Sequence, residues 1–211
     1  MINNYEYDQN GVIKQLHKTP IEYNRTYIDA RYNTYGILND LISHLRLGYI
    51  SGSIGRLPFD ILDVGYGNGA FLSTCGKIIA DCKGYDISTY PVPNNCSIVK
   101  DIFTEHHDVV TFFDSLEHYE EIYFLHKLKC NYVCISLPWC HYFSDEWFAT
   151  WKHRRPNEHL WHFNDKSLVN FMQSQGFECI NICNIEDAIR KHSFSYQNIL
   201  TGLFKRIYAQ N

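Results

Sequence analysis

One segment constrains the fold of this chain more than any other: Ile61-Leu62-Asp63-Val64-Gly65-Tyr66-Gly67-Asn68-Gly69-Ala70-Phe71-Leu72. A short apolar run of strand character leads into three alternating glycines and then into a helical pattern. Glycine lets a backbone turn where a Cβ would clash, and lets a ligand approach the main chain. The helix start beyond the turn offers free N–H groups and a partial positive charge. Asp86 ends the next apolar stretch, 21 positions after Gly65. In a strand–turn–helix–strand unit that spacing brings a carboxylate over a ribose. The pattern therefore predicts a nucleotide-type cofactor bound at the ends of parallel strands.

The rest of the chain fits such a sheet. A helical pattern runs from Ile21 to about Leu47, with Ile37, Leu38, Leu41, Ile42 and Leu45 on one face, and Ser51-Gly52-Ser53 breaks it. Strands are expected at Asp60–Val64, Cys82–Asp86, Cys96–Val99, Val109–Phe113, Asn131–Leu137, Phe177–Asn184 and Ile199–Ile207. Helices are expected from Gly69 to about Ala80, over Glu117–Leu128, and over Lys166–Gln175 behind an Asp165 cap. Strands alternating with helices imply an α/β fold: a Rossmann-like, seven-stranded, mostly parallel sheet with helices on both faces. Residues 1–22 read as an irregular N-terminal segment and 23–211 as a single domain, interrupted by an aromatic and His-rich insertion at 139–163.

Composition narrows the partners. The net charge is -4, and there is no Lys/Arg-rich stripe, so nucleic acid is not the indicated partner. The local basic run Lys152-His153-Arg154-Arg155 reads as a solvated loop. Eight cysteines without a Cys-x-x-Cys pair suggest buried thiols in a reducing compartment. With no long uncharged apolar span and no apolar leader, the expectation is a cytoplasmic protein without membrane partners. Oligomeric state is not legible.

On Asp63–Gly69, Gly84-Tyr85-Asp86-Ile87, Lys100-Asp101-Ile102-Phe103, Asp108–His118 and Gly176-Phe177-Glu178, the chain resembles class I S-adenosylmethionine-dependent methyltransferases of the small stand-alone type. The resemblance covers about Tyr23 to Ile207 and implies S-adenosylmethionine as cofactor and an antiparallel last strand. It implies that Gly65, Gly67 and Gly69 form the cofactor turn and that Asp86 and Ile87 lie at the ribose. Asp101 and Ile102 would lie at the adenine, and Asp63, Phe113 and Asp114 near the methionine part. Tyr66 departs from the family pattern, which often has a small residue or Cys there. A leading helix in similar proteins covers the cofactor, which points to Arg31 and Tyr27; Tyr27, Arg31 and Tyr35 recur every four residues. Gly65-x-Gly67-x-x-Ala70 also matches a dinucleotide fingerprint, so an NAD-dependent oxidoreductase, or a cofactor-binding protein without catalysis, is the alternative from another class.

Methyl transfer is a direct displacement, so the protein must align an acceptor and remove its proton where needed. The candidates are Glu117 and His118, at the end of the fourth strand, and His159 and His162, in the insertion. His141, His153 and the four tryptophans Trp139, Trp147, Trp151 and Trp161 supply an aromatic lid. The expected acceptor is an oxygen or nitrogen of a small or medium molecule, a sugar or nucleotide-sugar hydroxyl first, with a glycan as the larger version. In terminal 2′-O-methyltransferases of small RNAs, an acid, a Glu-His pair and a later His hold a divalent ion. Asp114, Glu117, His118 and His159 copy that order, so metal-assisted RNA ribose methylation is the rival, and a bound metal is not the favoured reading.

Overall fold

The computed structural model describes residues 2–19, 21, 37–88, 90–190, 193 and 195–208. Tyr27 and Arg31, with the rest of the tyrosine stripe, lie outside the described residues. The chain opens with strands β1 (Tyr5–Tyr7) and β2 (Ile13–Gln15). Helix α1 (Ile37–Ile54) precedes β3 (Asp60–Val64), α2 (Ala70–Cys75), β4 (Asp81–Tyr85) and β5 (Ser97–Ile98). Next come β6 (His106–Phe113), β7 (Lys129–Pro138), α3 (Asp145–Thr150) and β8 (Trp161–His162). Helix α4 (Asp165–Ser174), β9 (Phe177–Cys183) and β10 (Ile199–Arg206) close the fold.

Seven strands form one sheet in the order β5-β4-β3-β6-β7-β10-β9. The first five run parallel, and β10 is antiparallel to both β7 and β9, so the sheet is Rossmann-like and mostly parallel as expected. Both faces are covered, and neighbouring strand residues therefore go to different apolar layers. Ile61, Val109 and Cys134 pack with Leu47 and Ile50 of α1 and Phe71 and Leu72 of α2. Leu62, Val110, Val133 and Ile135 pack with Leu168, Phe171 and Met172 of α4. Each fully buried Leu, Ile or Phe stabilises the fold by roughly 1.5–3 kcal/mol relative to exposure.

Five expectations need correction. Helix α1 passes through Ser51-Gly52-Ser53 and ends at Gly55, whose φ is 75°. Its buried stripe is Ile42, Ser43, Arg46, Leu47, Tyr49 and Ile50, whereas Ile37 is 74% exposed. The stripe follows contact with the sheet, so a buried arginine replaces the apolar residues that periodicity selected. The segment 117–128 holds two 3₁₀ turns, Leu116–His118 and Leu125–Lys127, in place of one helix. The helix 165–174 is capped by Asn164, whose side chain takes the Ser167 N–H while the Ser167 hydroxyl takes the Asn164 N–H.

The fifth correction concerns the segment 1–22, expected to be irregular. Strands β1 and β2 form an antiparallel hairpin, and β2 pairs with β8 of the 139–163 insertion. Asp8 organises the turn by accepting the N–H groups of Asn10 and Val12, both at 2.8 Å, and Val12 is fully buried in the main core. Tyr5, Ile13, Cys140, Phe148 and Trp151 make a small core of their own. Phe148 and Trp151 of the insertion thus bury themselves against the hairpin, a partner that only tertiary structure supplies.

Candidate active site

The Gly-rich turn leaves β3 at the point where the chain continues to β4 on one side and β6 on the other. Open parallel sheets bind ligands at such a switch point. Gly65 has φ 81°, and a Cβ there would stand 2.5 Å from Ser115 Cβ, so no side chain fits. The Gly65 N–H reaches Tyr85 O at 2.7 Å, and Ser115 Oγ donates to Val64 O at 2.7 Å. Asp86 accepts the Gly67 N–H at 2.9 Å and the Ser88 N–H at 2.7 Å. Tyr66 neither blocks the turn nor points outward. Its hydroxyl donates to Tyr90 O at 2.6 Å, and its ring fills the space a side chain on Gly84 would need.

These elements border a cleft of about 500 Å³. Asp63, Gly65, Gly67, Asp86, Ile87 and Asp114 line one part of it, and Glu117, His118 and His159 line another. The structure therefore brings together nine of the residues that the sequence singled out. Gly69, with φ 75°, shapes the turn from behind and does not line the cleft. Ile102 is buried in the main core, and Asp101 is exposed, accepting the Phe103 N–H at 2.9 Å. Neither Asp101 nor Ile102 borders the cleft.

His162 also falls outside it. Adjacent residues of a strand face opposite ways, so His162 enters the aromatic cluster of Tyr5, Phe148 and Trp151. Burial, and then Arg154, push its pKa down to about 3, leaving a neutral core imidazole. Trp161 is buried as well, and its indole N–H donates to Tyr119 O at 2.9 Å. None of the four tryptophans lines the cleft.

Sequence reasoning missed a cluster of charges at one wall of the cleft, around Arg46, Asp114 and Arg190. Arg46 of α1 donates from Nε to Glu186 at 2.7 Å and from Nη2 to Asp114 at 2.8 Å. Arg190 grips the same Asp114 carboxylate, and its Nε lies 2.8 Å from Glu186. Ser136 Oγ donates to Glu186 at 2.6 Å. Burial opposes ionisation of Asp114, but Arg190 and Arg46 outweigh it and hold the carboxyl well below the usual carboxylate range. Arg46 lies off the apolar face that periodicity selects; its charge was the one available clue.

The opposite wall is electrostatically unlike this. Glu117 is 2% exposed, and neither carboxylate oxygen has a hydrogen-bond partner among the described residues. Burial, and then the negative charge of Asp114, push its pKa up to about 8. His118 Nε2 lies 3.9 Å from Glu117 Oε1, and the His118 and His159 rings meet edge to face at 4.7 Å. Burial and the neighbouring His118 hold His159 well below the ordinary imidazole range. One ligand atom from each of Glu117, His118 and His159 lies within 4.8 Å of the others. Asp114 is not part of this group, because two guanidiniums already hold it.

The fold and the cleft define an α/β enzyme that takes a nucleotide-type cofactor beside a buried acid–imidazole cluster. A family profile described as a methyltransferase domain matches residues 44–182, and the chain belongs to that family. The resemblance to class I S-adenosylmethionine-dependent methyltransferases therefore holds, and the NAD-dependent oxidoreductase reading is set aside. No curated protein matches the chain by sequence. Among solved structures, it is similar to magnesium protoporphyrin IX methyltransferase from Synechocystis PCC 6803 with bound S-adenosylhomocysteine. The identity is 17%, the match covers 87% of this chain and 96% of that one, and the TM-score is 0.60. It is also similar to the Burkholderia thailandensis 1,6-didemethyltoxoflavin-N1-methyltransferase, at 11% identity over 97% and 100% of the two chains, with a TM-score of 0.58. The [4+2]-cyclase SpnF matches at 12% identity over 81% of each chain, with a TM-score of 0.57. One fold thus carries different chemistries, and the acceptor must be argued from the site. Among the described residues, no helix is long and apolar enough to cross a membrane.

Proposed function

We propose that this chain transfers a methyl group from S-adenosylmethionine to an oxygen or nitrogen of a small or medium acceptor, with Glu117 as the proton-accepting group. The observation that carries this reading is the buried, unpartnered Glu117 carboxylate at the cleft wall. The residues of the opposite side fit the donor: a glycine turn without room for a Cβ, Asp86 for ribose hydroxyls, and Asp63 for an ammonium group. S-adenosylmethionine supplies a methyl group on a positively charged sulfur, a good leaving group that needs no protein nucleophile. The protein's part is to bring an acceptor hydroxyl or amine against Glu117, which takes its proton as the new bond to carbon forms. A carboxylate with a pKa near the working pH suits that task. A sugar or nucleotide-sugar hydroxyl stays the first choice of acceptor, now set against Glu117 and the cleft imidazoles, since none of the four tryptophans lines the cleft.

The test is a screen of hydroxyl and amine acceptors with radiolabelled donor, followed by Glu117→Gln on the best substrate. Transfer should fall at least tenfold, about 1.4 kcal/mol of transition-state stabilisation, with S-adenosylhomocysteine affinity within twofold of wild type. Donor binding without transfer to any acceptor would favour a non-catalytic binding protein.

A second reading has its own observation. Two imidazoles and a carboxylate with converging ligand atoms suit a divalent cation such as Mn, Fe or Zn. Glu117, His118 and His159 would hold it, and it would polarise the acceptor oxygen, as in metal-assisted ribose methylation. Elemental analysis of the purified protein, and transfer measured after exhaustive chelation, separate the two. Full activity in metal-free protein leaves Glu117 as a direct base.

A further inference from the structure

Two stretches that look idle in the sequence meet at the acceptor side of the cleft. Asn157 holds a left-handed backbone, φ 70°. Its Oδ1 accepts from Gln15 Nε2 at 3.0 Å and from the Thr19 N–H at 2.9 Å, while its own N–H donates to Gln15 Oε1 at 2.9 Å. These three bonds lay the chain beyond β2 against the insertion. Lys18 and Thr19 thereby line the cleft together with Arg155 and Asn157, on the same cavity as Glu117 and His159. The basic run at 152–155 is accordingly no uniform solvated loop. Arg154 turns its guanidinium toward Tyr5 and Phe148, and Arg155 borders the cleft.

The charges of this rim are loosely engaged. Lys18 Nζ lies 2.8 Å from Glu120, which is 75% exposed, and Arg155 Nη1 lies 2.9 Å from Glu158, three residues along. The Lys18 pair is of the exposed kind that contributes about 0–1 kcal/mol, while the Arg155 pair is partly buried and engages Nη1. A lysine offers three N–H groups and an arginine five in a planar fork, so each cation keeps donors for a ligand. The Asn157 amide N–H₂ adds two more. The acids that face the rim are Glu117, Glu120 and Glu158, and the net charge of -4 disfavours a polyanion. The ligand that fits is a single anionic group on a small molecule.

We infer that Lys18 and Arg155 form an anion subsite, and that the acceptor carries a phosphate or carboxylate there while its reacting hydroxyl or amine reaches Glu117. The inference rests on the proposed transfer to a small acceptor, and it is tested without that acceptor. Protein saturated with S-adenosylhomocysteine, which blocks the donor half, is titrated calorimetrically with pyrophosphate and, separately, with malonate. At least one should bind saturably, pyrophosphate assigning a phosphate group and malonate a carboxylate. Lys18→Ala and Arg155→Ala should each weaken that binding at least fivefold. Asn157→Ala should weaken it too, and Asn157→Asp should weaken it further, because it exchanges the amide donors for a negative charge beside the anion. S-adenosylhomocysteine affinity should stay within twofold in every variant, which also reports folding. Absence of saturable binding by both probes overturns the inference. Equal binding by wild type and the Lys18→Ala/Arg155→Ala double variant also overturns it, as an adventitious ion only. Either failure leaves the Glu117→Gln result untouched, so the two readings fall separately.

Discussion

Asp86 takes the N–H of Gly67 on one oxygen and that of Ser88 on the other, which ties β4 to the cofactor turn. Asp86→Ala removes a charged acceptor from both the turn and the ribose. S-adenosylhomocysteine affinity should drop by about 2 kcal/mol or more, since hydrogen bonds to charged groups are the stronger kind. Calorimetric titration of the folded variant checks this, and unchanged affinity would remove Asp86 from the site. Asp63 makes a pH prediction. Burial raises its pKa to about 6, against the lowering effects of the Thr111 hydroxyl and Arg46. Below about pH 6 the free protein holds a proton there that an ammonium ligand must displace. S-adenosylhomocysteine affinity should therefore rise from pH 5 to 7 and then level off, and Asp63→Asn should flatten the rise. For stability the sign is opposite: the native state keeps this proton where the unfolded chain has lost it, so the Asp63 contribution declines as pH rises from about 4 to 6. Asp63, Gly65 and Asp86 were legible because a strand, a turn and a spacing constrain one another over a short stretch of chain. Arg46 and Arg190 were not, since their partners lie 140 and 76 positions away.

At the scale of elements, β8 decides what the insertion does. It is two residues long, yet it joins the hairpin to the wall of the cleft and sends Trp161 and His162 to different apolar clusters. Trp161→Ala should cost about 3–5 kcal/mol, as for other large-to-small changes in a core, and leave the Tyr119 carbonyl without its donor. Melting temperature, cofactor binding and methyl transfer should then decline together. His159→Ala should differ: near-normal melting and cofactor binding, with transfer at least tenfold lower. Thermal melts and single-turnover assays on both variants distinguish the two, and an active, stable Trp161→Ala would contradict the core assignment. The central parallel strands were readable because each carries a short apolar run buried between two apolar layers. The hairpin was not, because β1 and β2 are three residues each and gain their stability from β8 and the small aromatic core.

For the whole molecule, the buried pair Arg46–Glu186 joins three separate parts: α1, the end of β6 through Asp114, and the 3₁₀ turn after β9. Glu186 is fully buried and takes donors from Arg46 and Ser136, with Arg190 beside it. Arg46→Met should destabilise by about 3 kcal/mol, because it takes one of two guanidiniums from a buried carboxylate. Arg46→Met/Glu186→Gln should recover part of that loss. Urea unfolding of both variants gives the comparison, and a double variant no better than the single one would deny the pair its energetic role. The same change loosens Asp114, so cofactor affinity should fall along with stability.

By itself the sequence determined the strand–turn–helix at the cleft, the parallel half of the sheet, and the family. Those features rest on local patterns: apolar runs, glycines where no Cβ fits, and an acid one strand further on. Only the tertiary structure decided which histidines serve the cleft. His159 and His162 are three residues apart, yet His162 lies within β8 and packs among rings, while His159 precedes the strand and meets His118 beside Glu117. It also decided that the first twenty residues and the basic run share a wall, because that contact is made by Gln15, Thr19 and Asn157 across more than 130 positions of chain. Local periodicity carries no information about partners so far apart; burial and hydrogen-bond satisfaction in the folded state do.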